Sequence, residues 1–502
     1  MKAIPCLLLL AFGQSALAQS VGSMDLITKN DLLAHLEFIA HDLLEGRDTP
    51  SRGLDLATLY VSSQLKLWGA TPGGDSGKFF QNVPLVGRAM DPEGSSLSIG
   101  STRHAYGEFM ATGNATKFEG QAIYVGHGAQ APELGIDPYI GMDIRGKVLV
   151  VRGNPPIELL RSAGSKSVDR IAQDGGAAGI IRISTQGADD WQSSVTSSLA
   201  ASRPRPAWQG AGPGRQARSS ISLSPQLGSK LLQGISFDEA KPKGVAINQM
   251  ISLETKVKDV SPKTQNVVAI VKGSDPELSN EYVGVSAHID HVGMRSVAPG
   301  LDGIFNGADD DGSGTVAVLE LAHAFATGRR PKRSIIFIWH CGEEKGLWGS
   351  AYFTNNPTVP LKDLTALINI DMIGRSRPAG DTNPKNSVLS GPNQIYVVGS
   401  YKLSRDFGDF LQTVNSKNFN LGYSYKYDDP NDRENIYERS DHYNYALKGI
   451  PIAFYFDGVH EDYHQVGDEV HKIDFDKMEV VTKTIYASLW ELANRTDRVK
   501  LD

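Results

Sequence analysis

Cysteine is almost missing: the 502 residues contain two, Cys6 and Cys341. That excludes a disulfide framework, so stability must come from a large core or partly from metal. Long apolar runs are missing too. No stretch approaches the ~18 residues of a spanning helix, which excludes a polytopic membrane protein. No long block of one charge sign occurs, and 50 Lys+Arg against 57 Asp+Glu gives a net −7. Nucleic acid is therefore not expected as a main partner. No G-x-S-x-G occurs either, which removes the commonest esterase elbow. What remains is an ordinary soluble balance, 40% hydrophobic and 21% charged. The length favours two domains, or one with a large insert.

The first residues read as an export signal. Lys2 is followed by a short apolar stretch, Ile4 to Phe12, and then by Ala16-Leu17-Ala18, an A-x-A cleavage site. Residues 1–18 are expected to be removed with Cys6, leaving Cys341 as a packed small residue. A periplasmic or secreted location follows. Thr28 opens a capping pattern with Asp31 ahead of an amphipathic run, and a second helical pattern spans Leu54 to Trp68. The later third alternates β-rich and helical runs. Strands are expected at Asn266–Val271, Tyr282–Ala287, Ser334–Trp339, Ala366–Ile370 and Ile452–Phe456, and helices at Gly314–Ala326, Leu403–Val414 and Phe475–Ala493. This predicts an α/β fold with a mixed, largely parallel central sheet flanked by helices. Residues 109–255 differ, with short β-like runs among many Gly, Ser and Pro, and suggest a β-rich insertion. The expected divisions are 1–18, 19–108, 109–255 and 256–502.

The chemistry lies where these strands end. The first central strand runs into His288-Ile289-Asp290, the second into His340-Cys341-Gly342-Glu343-Glu344, and the third into Asp371. The last is followed by a loop carrying His460 and His464. Between the first two lies Gly307-Ala308-Asp309-Asp310-Asp311-Gly312-Ser313-Gly314, just before a helix. Open α/β sheets bind ligands beyond the carboxyl ends of their strands. Two imidazoles with several carboxylates make a mixed N/O donor set, suited to Zn, Mn or Co rather than to the all-oxygen cages of Ca or Mg. A calcium loop at the Asp triplet fails on register. With Gly312 as the loop glycine, the twelfth position is Val318, where a carboxylate is required.

These ordered motifs resemble metallopeptidase family 28, the co-catalytic di-zinc family of secreted leucyl-type aminopeptidases. They are His288-x-Asp290, the Asp309-Asp310-Asp311 loop, Gly-Glu343-Glu344, Asn-Ile-Asp371-Met and Tyr463-His464. The middle segment, with Tyr124-Val-Gly-His-Gly, Asp143-Ile-Arg-Gly-Lys147-Val and Gly175-Gly-Ala-Ala-Gly, resembles a protease-associated (PA) domain. The resemblance implies two Zn²⁺ per chain, with Asp310 bridging them. His288 and Asp371 would serve one zinc, and Glu344 and His464 the other. It further implies Glu343 as general base, Asp290 orienting the His288 imidazole, and Tyr463 stabilising the tetrahedral intermediate. Asp309 and Asp311 flank the bridging position where the family often has Asn. Peptides are the implied substrates, and the oligomeric state stays open.

Competing readings attach to specific residues. His460-Glu461-Asp462-Tyr463-His464 matches H-E-x-x-H, a one-zinc signature that requires both histidines on one helix face. Its setting, with Gly458 before and Gly467 after, does not supply that helix. A carboxypeptidase needs clustered Arg for a terminal carboxylate, and Arg375 and Arg377 could serve. A non-catalytic scaffold on the same fold is the remaining alternative. His291, His323, His340 and His442 are expected mostly to be satisfied hydrogen-bonding residues, and Ser440-Asp441-His442 to be a supporting wall.

Overall fold

The computed structural model describes residues 21–200, 202–210, 220–238, 240–297 and 300–502. The export signal expected at 1–18 lies outside the described residues. The chain divides into two compact units, one of residues 1–83 with 263–502 and one of residues 84–262. Among the described residues no helix is long and apolar enough to cross a membrane.

The first unit is an α/β domain. Its central strands are Ser334–His340, Tyr282–His288, Leu364–Ile370 and Ile452–Phe456, neighbours in that order and all parallel. Antiparallel strands flank them, Lys263–Val271 on Ser334–His340 and Gln394–Val398 on Ile452–Phe456. Every residue of Ser334–His340, Leu364–Ile370 and Ile452–Phe456 is buried. Strands covered on both faces carry near-continuous apolar runs rather than alternation, the pattern of SIIFIWH and LTALINI. The helix Gly314–Thr327 is buried along most of its length, and Phe475–Asn494 buries twelve residues. The strands expected from pattern are all present, with ends moved by at most three residues (263 rather than 266). Thr28 caps the helix Lys29–Ile39 by accepting from the Asp31 backbone N–H at 3.2 Å.

The second unit has its own mixed sheet. Lys117–Tyr124, Val148–Arg152, Gly179–Ile183 and Ser220–Leu223 are parallel neighbours. Alternate side chains feed two apolar clusters: Val148, Val150, Ile181 and Ile183 enter one, and Leu149, Val151 and Ile180 the other. This is the two-residue period of a sheet packed on both faces. The unit is wider than the expected 109–255 because two long strands, Phe80–Ile99 and Val245–Val260, pair antiparallel, from Ile251 with Ile99 to Val260 with Gly87. Their outer portions are rich in polar residues, so composition alone reads them as linkers.

Candidate metal centre

Parallel register brings the carboxyl ends of the central strands level. His288 pairs with His340, and the Asp371 backbone N–H donates to the Tyr455 carbonyl at 3.2 Å. The strand ends thereby carry His288, Glu343, Glu344 and Asp371 to one edge. The acidic turn Ala308–Ser313 crosses beside them and is buried throughout. The loop after Ile452–Phe456 adds His464, whose side chain keeps 36% exposure and reaches solvent.

Asp310 is the hub. Its Oδ1 lies 3.2 Å from His288 Nε2 and its Oδ2 lies 3.1 Å from His464 Nε2. Asp371 Oδ1 approaches His288 Nε2 at 3.5 Å, and Glu344 Oε2 lies 3.0 Å from His464 Nε2. The two oxygens of one carboxylate thus face two separate His-plus-carboxylate pairs. Glu343 sits against the first, with Oε2 4.0 Å from His288 Nε2. Burial, with Asp371 and Glu344 adding to it against the opposing pull of His288, raises the Glu343 carboxyl well above the usual range. Buried Asp310 Oδ2 and Glu344 Oε1 have no hydrogen-bond partner among the described residues. A chain seldom leaves such acceptors unpaired in its interior. Both lie on the His464 side, where a divalent cation would satisfy them, and the mixed N/O donors suit zinc.

The neighbouring acids hold the frame instead. Asp311 accepts from the His288, Gly314 and Met372 backbone N–H groups at 2.9 to 3.1 Å, so its oxygens are already occupied. Asp468 accepts from the Asp309 and Asp310 backbone N–H groups, each at 3.1 Å. Buried Arg47 donates to the carbonyls of Ile39, Ile289, Asn306 and Gly307, tying the His288 loop to the acidic turn. Met372 and His464 hold φ of 62° and 54°, a left-handed backbone that side chains avoid. Each such residue costs about 1–3 kcal/mol, a cost that persists where surrounding structure fixes the residue.

The family model for peptidase family M28 matches residues 266–489. A probable zinc metalloprotease of Pyricularia oryzae is 28% identical over 281 residues, 47% of this chain and 51% of that protein. Leucine aminopeptidase 1 of Ajellomyces capsulatus is 30% identical over 230 residues, 43% of this chain and 54% of that protein. The chain spans about half the length of these curated relatives. The solved aminopeptidase from Aneurinibacillus sp. strain AM-1 aligns over 95% of this chain and 97% of its own, at 18% identity and a TM-score of 0.47.

Within residues 266–489, several expectations change. Asp290 does not reach His288 through its carboxylate, whose Oδ1 stays 3.8 Å from Nδ1. The imidazole donates to the Asp290 carbonyl oxygen at 3.1 Å instead. The carboxylate accepts from the Glu343 backbone N–H at 3.1 Å and from the Thr49 hydroxyl at 3.0 Å. His291 departs from the expected pattern of satisfied histidines. His323 pairs with Glu320, His340 meets the Tyr445 hydroxyl, and His442 donates to the Tyr437 carbonyl. Neither ring nitrogen of buried His291 has a hydrogen-bond partner among the described residues.

The H-E-x-x-H segment is a run of turns, not an α-helix. His460 Nε2 faces Asp309 Oδ2 at 3.2 Å, while Glu461 accepts from Asn383 at 2.5 Å on the exposed side. Arg375 is spent on Asp462 at 3.0 Å, and Arg377 on the carbonyls of Asp381 and Ser387. Cys341 is buried, and burial pushes its thiol far up, as for a packing residue. Tyr463 stacks on His464 with ring centres 4.0 Å apart, and its oxygen accepts from Arg439 at 3.2 Å. A pocket opens beside Glu343 and Asp371, walled by Met372, Ile436, Phe454, Phe456 and Val459.

Proposed function

We propose that this chain is a zinc-dependent exopeptidase that removes N-terminal residues from peptides. The observation that carries the reading is the position of Asp310, one carboxylate with its two oxygens turned to two His-plus-carboxylate pairs. Asp310 would bridge two zinc ions, with His288 and Asp371 on one and Glu344 and His464 on the other. Two such ions supply Lewis acidity and make a water acidic near neutral pH. Glu343, beside the His288 pair and next in sequence to Glu344, would accept the water's proton and return it to the leaving amine. Asp290 holds Glu343 in place through the backbone N–H. Tyr463 stays protonated because burial and nearby carboxylates raise its hydroxyl, so it can donate to a developing oxyanion. The names of the relatives, a zinc metalloprotease and a leucine aminopeptidase, agree with this chemistry. Apolar side chains border the space beside Glu343, and the Glu343 and Asp371 carboxylates there suit a free α-ammonium.

Export, with removal of residues 1–18, belongs to the same reading, as does a PA-like role for the 84–262 unit. One observation favours a second reading, a carboxypeptidase. Arg439 stands exposed in the wall of the same pocket and could take a terminal carboxylate. Peptides with free, N-acetylated and C-amidated ends separate the two. Stepwise N-terminal trimming, blocked by acetylation and indifferent to amidation, is expected. Release of C-terminal residues, blocked by amidation, would replace the proposal with the carboxypeptidase.

A further inference from the structure

His291 is the residue that the M28 motifs leave without a task. Three buried atoms with no hydrogen-bond partner among the described residues face one another: His291 Nδ1, Asp310 Oδ2 and Glu344 Oε1. His291 Nδ1 lies 2.8 Å from Glu344 Oε1 and 3.8 Å from Asp310 Oδ2, yet neither pair has hydrogen-bonding geometry. His464 completes the group, and the four side chains each offer a donor atom within 4.8 Å of the others. We propose that His291 is a fourth protein ligand of the ion held by Asp310, Glu344 and His464.

The seat of the ring is built for this. Gly307, at φ 56°, lies against the imidazole, and a Cβ there would come 2.5 Å from His291 Cγ and 2.6 Å from Cδ2. Only a residue without a side chain lets the ring approach the acidic turn. The His291 backbone N–H donates to the Arg47 carbonyl at 3.3 Å, and Arg47 in turn grips the Asn306 and Gly307 carbonyls. The ring and the turn are therefore positioned by one cross-link.

The consequence is an asymmetric pair. The ion near Asp310, Glu344 and His464 would have a second imidazole among its donors, whereas His288, Asp310 and Asp371 offer three donors to the other. A fourth protein donor holds an ion more tightly than three do. The His291 site should fill first and empty last. The opposing possibility is an imidazolium clamped between Glu344 and Asp310, a structural ion pair that touches no metal.

The inference rests on the two-metal reading above, and the test separates their failures. Apo protein made by chelation is titrated with Co²⁺ for wild type, His291→Cys and His291→Ala, with folding checked by circular dichroism. In His291→Cys the first equivalent of Co²⁺ should produce a thiolate-to-cobalt charge-transfer band in the near ultraviolet, absent from wild type because buried Cys341 belongs to neither donor group. His291→Ala should retain one tight equivalent of two after dialysis. Two Co²⁺ bound to His291→Cys without that band, or two retained in His291→Ala at wild-type affinity, would overturn the ligand assignment. Wild type that binds no Co²⁺ would overturn the two-metal reading, and this assignment with it.

Discussion

Substitution of Asp290 separates two accounts of how this carboxylate acts. If it oriented the His288 imidazole, its loss would loosen one metal. In the structure it accepts instead from the Glu343 backbone N–H at 3.1 Å and the Thr49 hydroxyl at 3.0 Å, and Thr49 in turn accepts from the Gly342 N–H at 3.1 Å. Asp290→Ala therefore unties the Gly342-Glu343 turn while leaving the carbonyl that holds His288 in place. A hydrogen bond to a charged acceptor contributes about 1.5–3 kcal/mol. Losing the Glu343 bond alone should lower kcat by about 10- to 150-fold, at 1.36 kcal/mol per decade. Asp290→Asn keeps an acceptor oxygen in the same place and should recover most of that loss. Burial holds the Asp290 carboxyl up, to about 6, so the Asn variant also removes a poorly solvated charge and should unfold no more easily than wild type. The assay is steady-state turnover per bound metal, with zinc counted by elemental analysis of the dialysed protein. Metal loss from Asp290→Ala as ready as from His288→Ala, with wild-type turnover in the metal-loaded fraction, would refute this role.

Glu343→Gln should keep both metals and lose about 10²–10⁴-fold in kcat, the range of general acid–base catalysis, and a variant above a tenth of wild-type kcat would exclude Glu343 as base. His464→Ala should lose one of two metals. His460→Ala should keep both yet be destabilised by about 3–5 kcal/mol, because it strands the buried Asp309 carboxylate, as denaturant unfolding and metal counts can check. Burial holds His442 neutral and lowers its pKa to about 3. The unfolded chain, near 6.5, binds the extra proton first, so this group's contribution is full above 6.5 and falls as pH drops towards 3. Between pH 7 and 5 it should remove about 2 kcal/mol of stability, a slope that His442→Phe abolishes while keeping the stack on Phe454. Equal slopes for variant and wild type would refute this.

Both the class of fold and the chemical types at its edge could be read from the sequence. A short apolar run rich in β-branched and aromatic residues, such as Ile335–Trp339, reads as a strand buried on both faces, and such strands imply parallel pairing with helices between. Acidic and imidazole residues at successive run ends, His288, Glu343, Glu344, Asp371 and His464, then converge because parallel strands end on one side. That is a consequence of connectivity, available from order along the chain. Three things were decided only in three dimensions. The extent of the 84–262 unit depends on Phe80–Ile99 meeting Val245–Val260 across a long sequence separation, which local composition cannot report. The direction in which Asp290 acts depends on a shift between its carbonyl at 3.1 Å and its carboxylate at 3.8 Å from the same nitrogen, a choice of rotamer and turn. The place of His291 depends on Gly307 and Arg47 bringing a separate turn against its ring, so a residue that looked like a bystander lies among the metal-site donors. Periodicity and order along the chain record which side of a sheet a residue reaches. Which donor atoms share a point is set by contacts between distant segments, to within tenths of an ångström, and no local pattern encodes them.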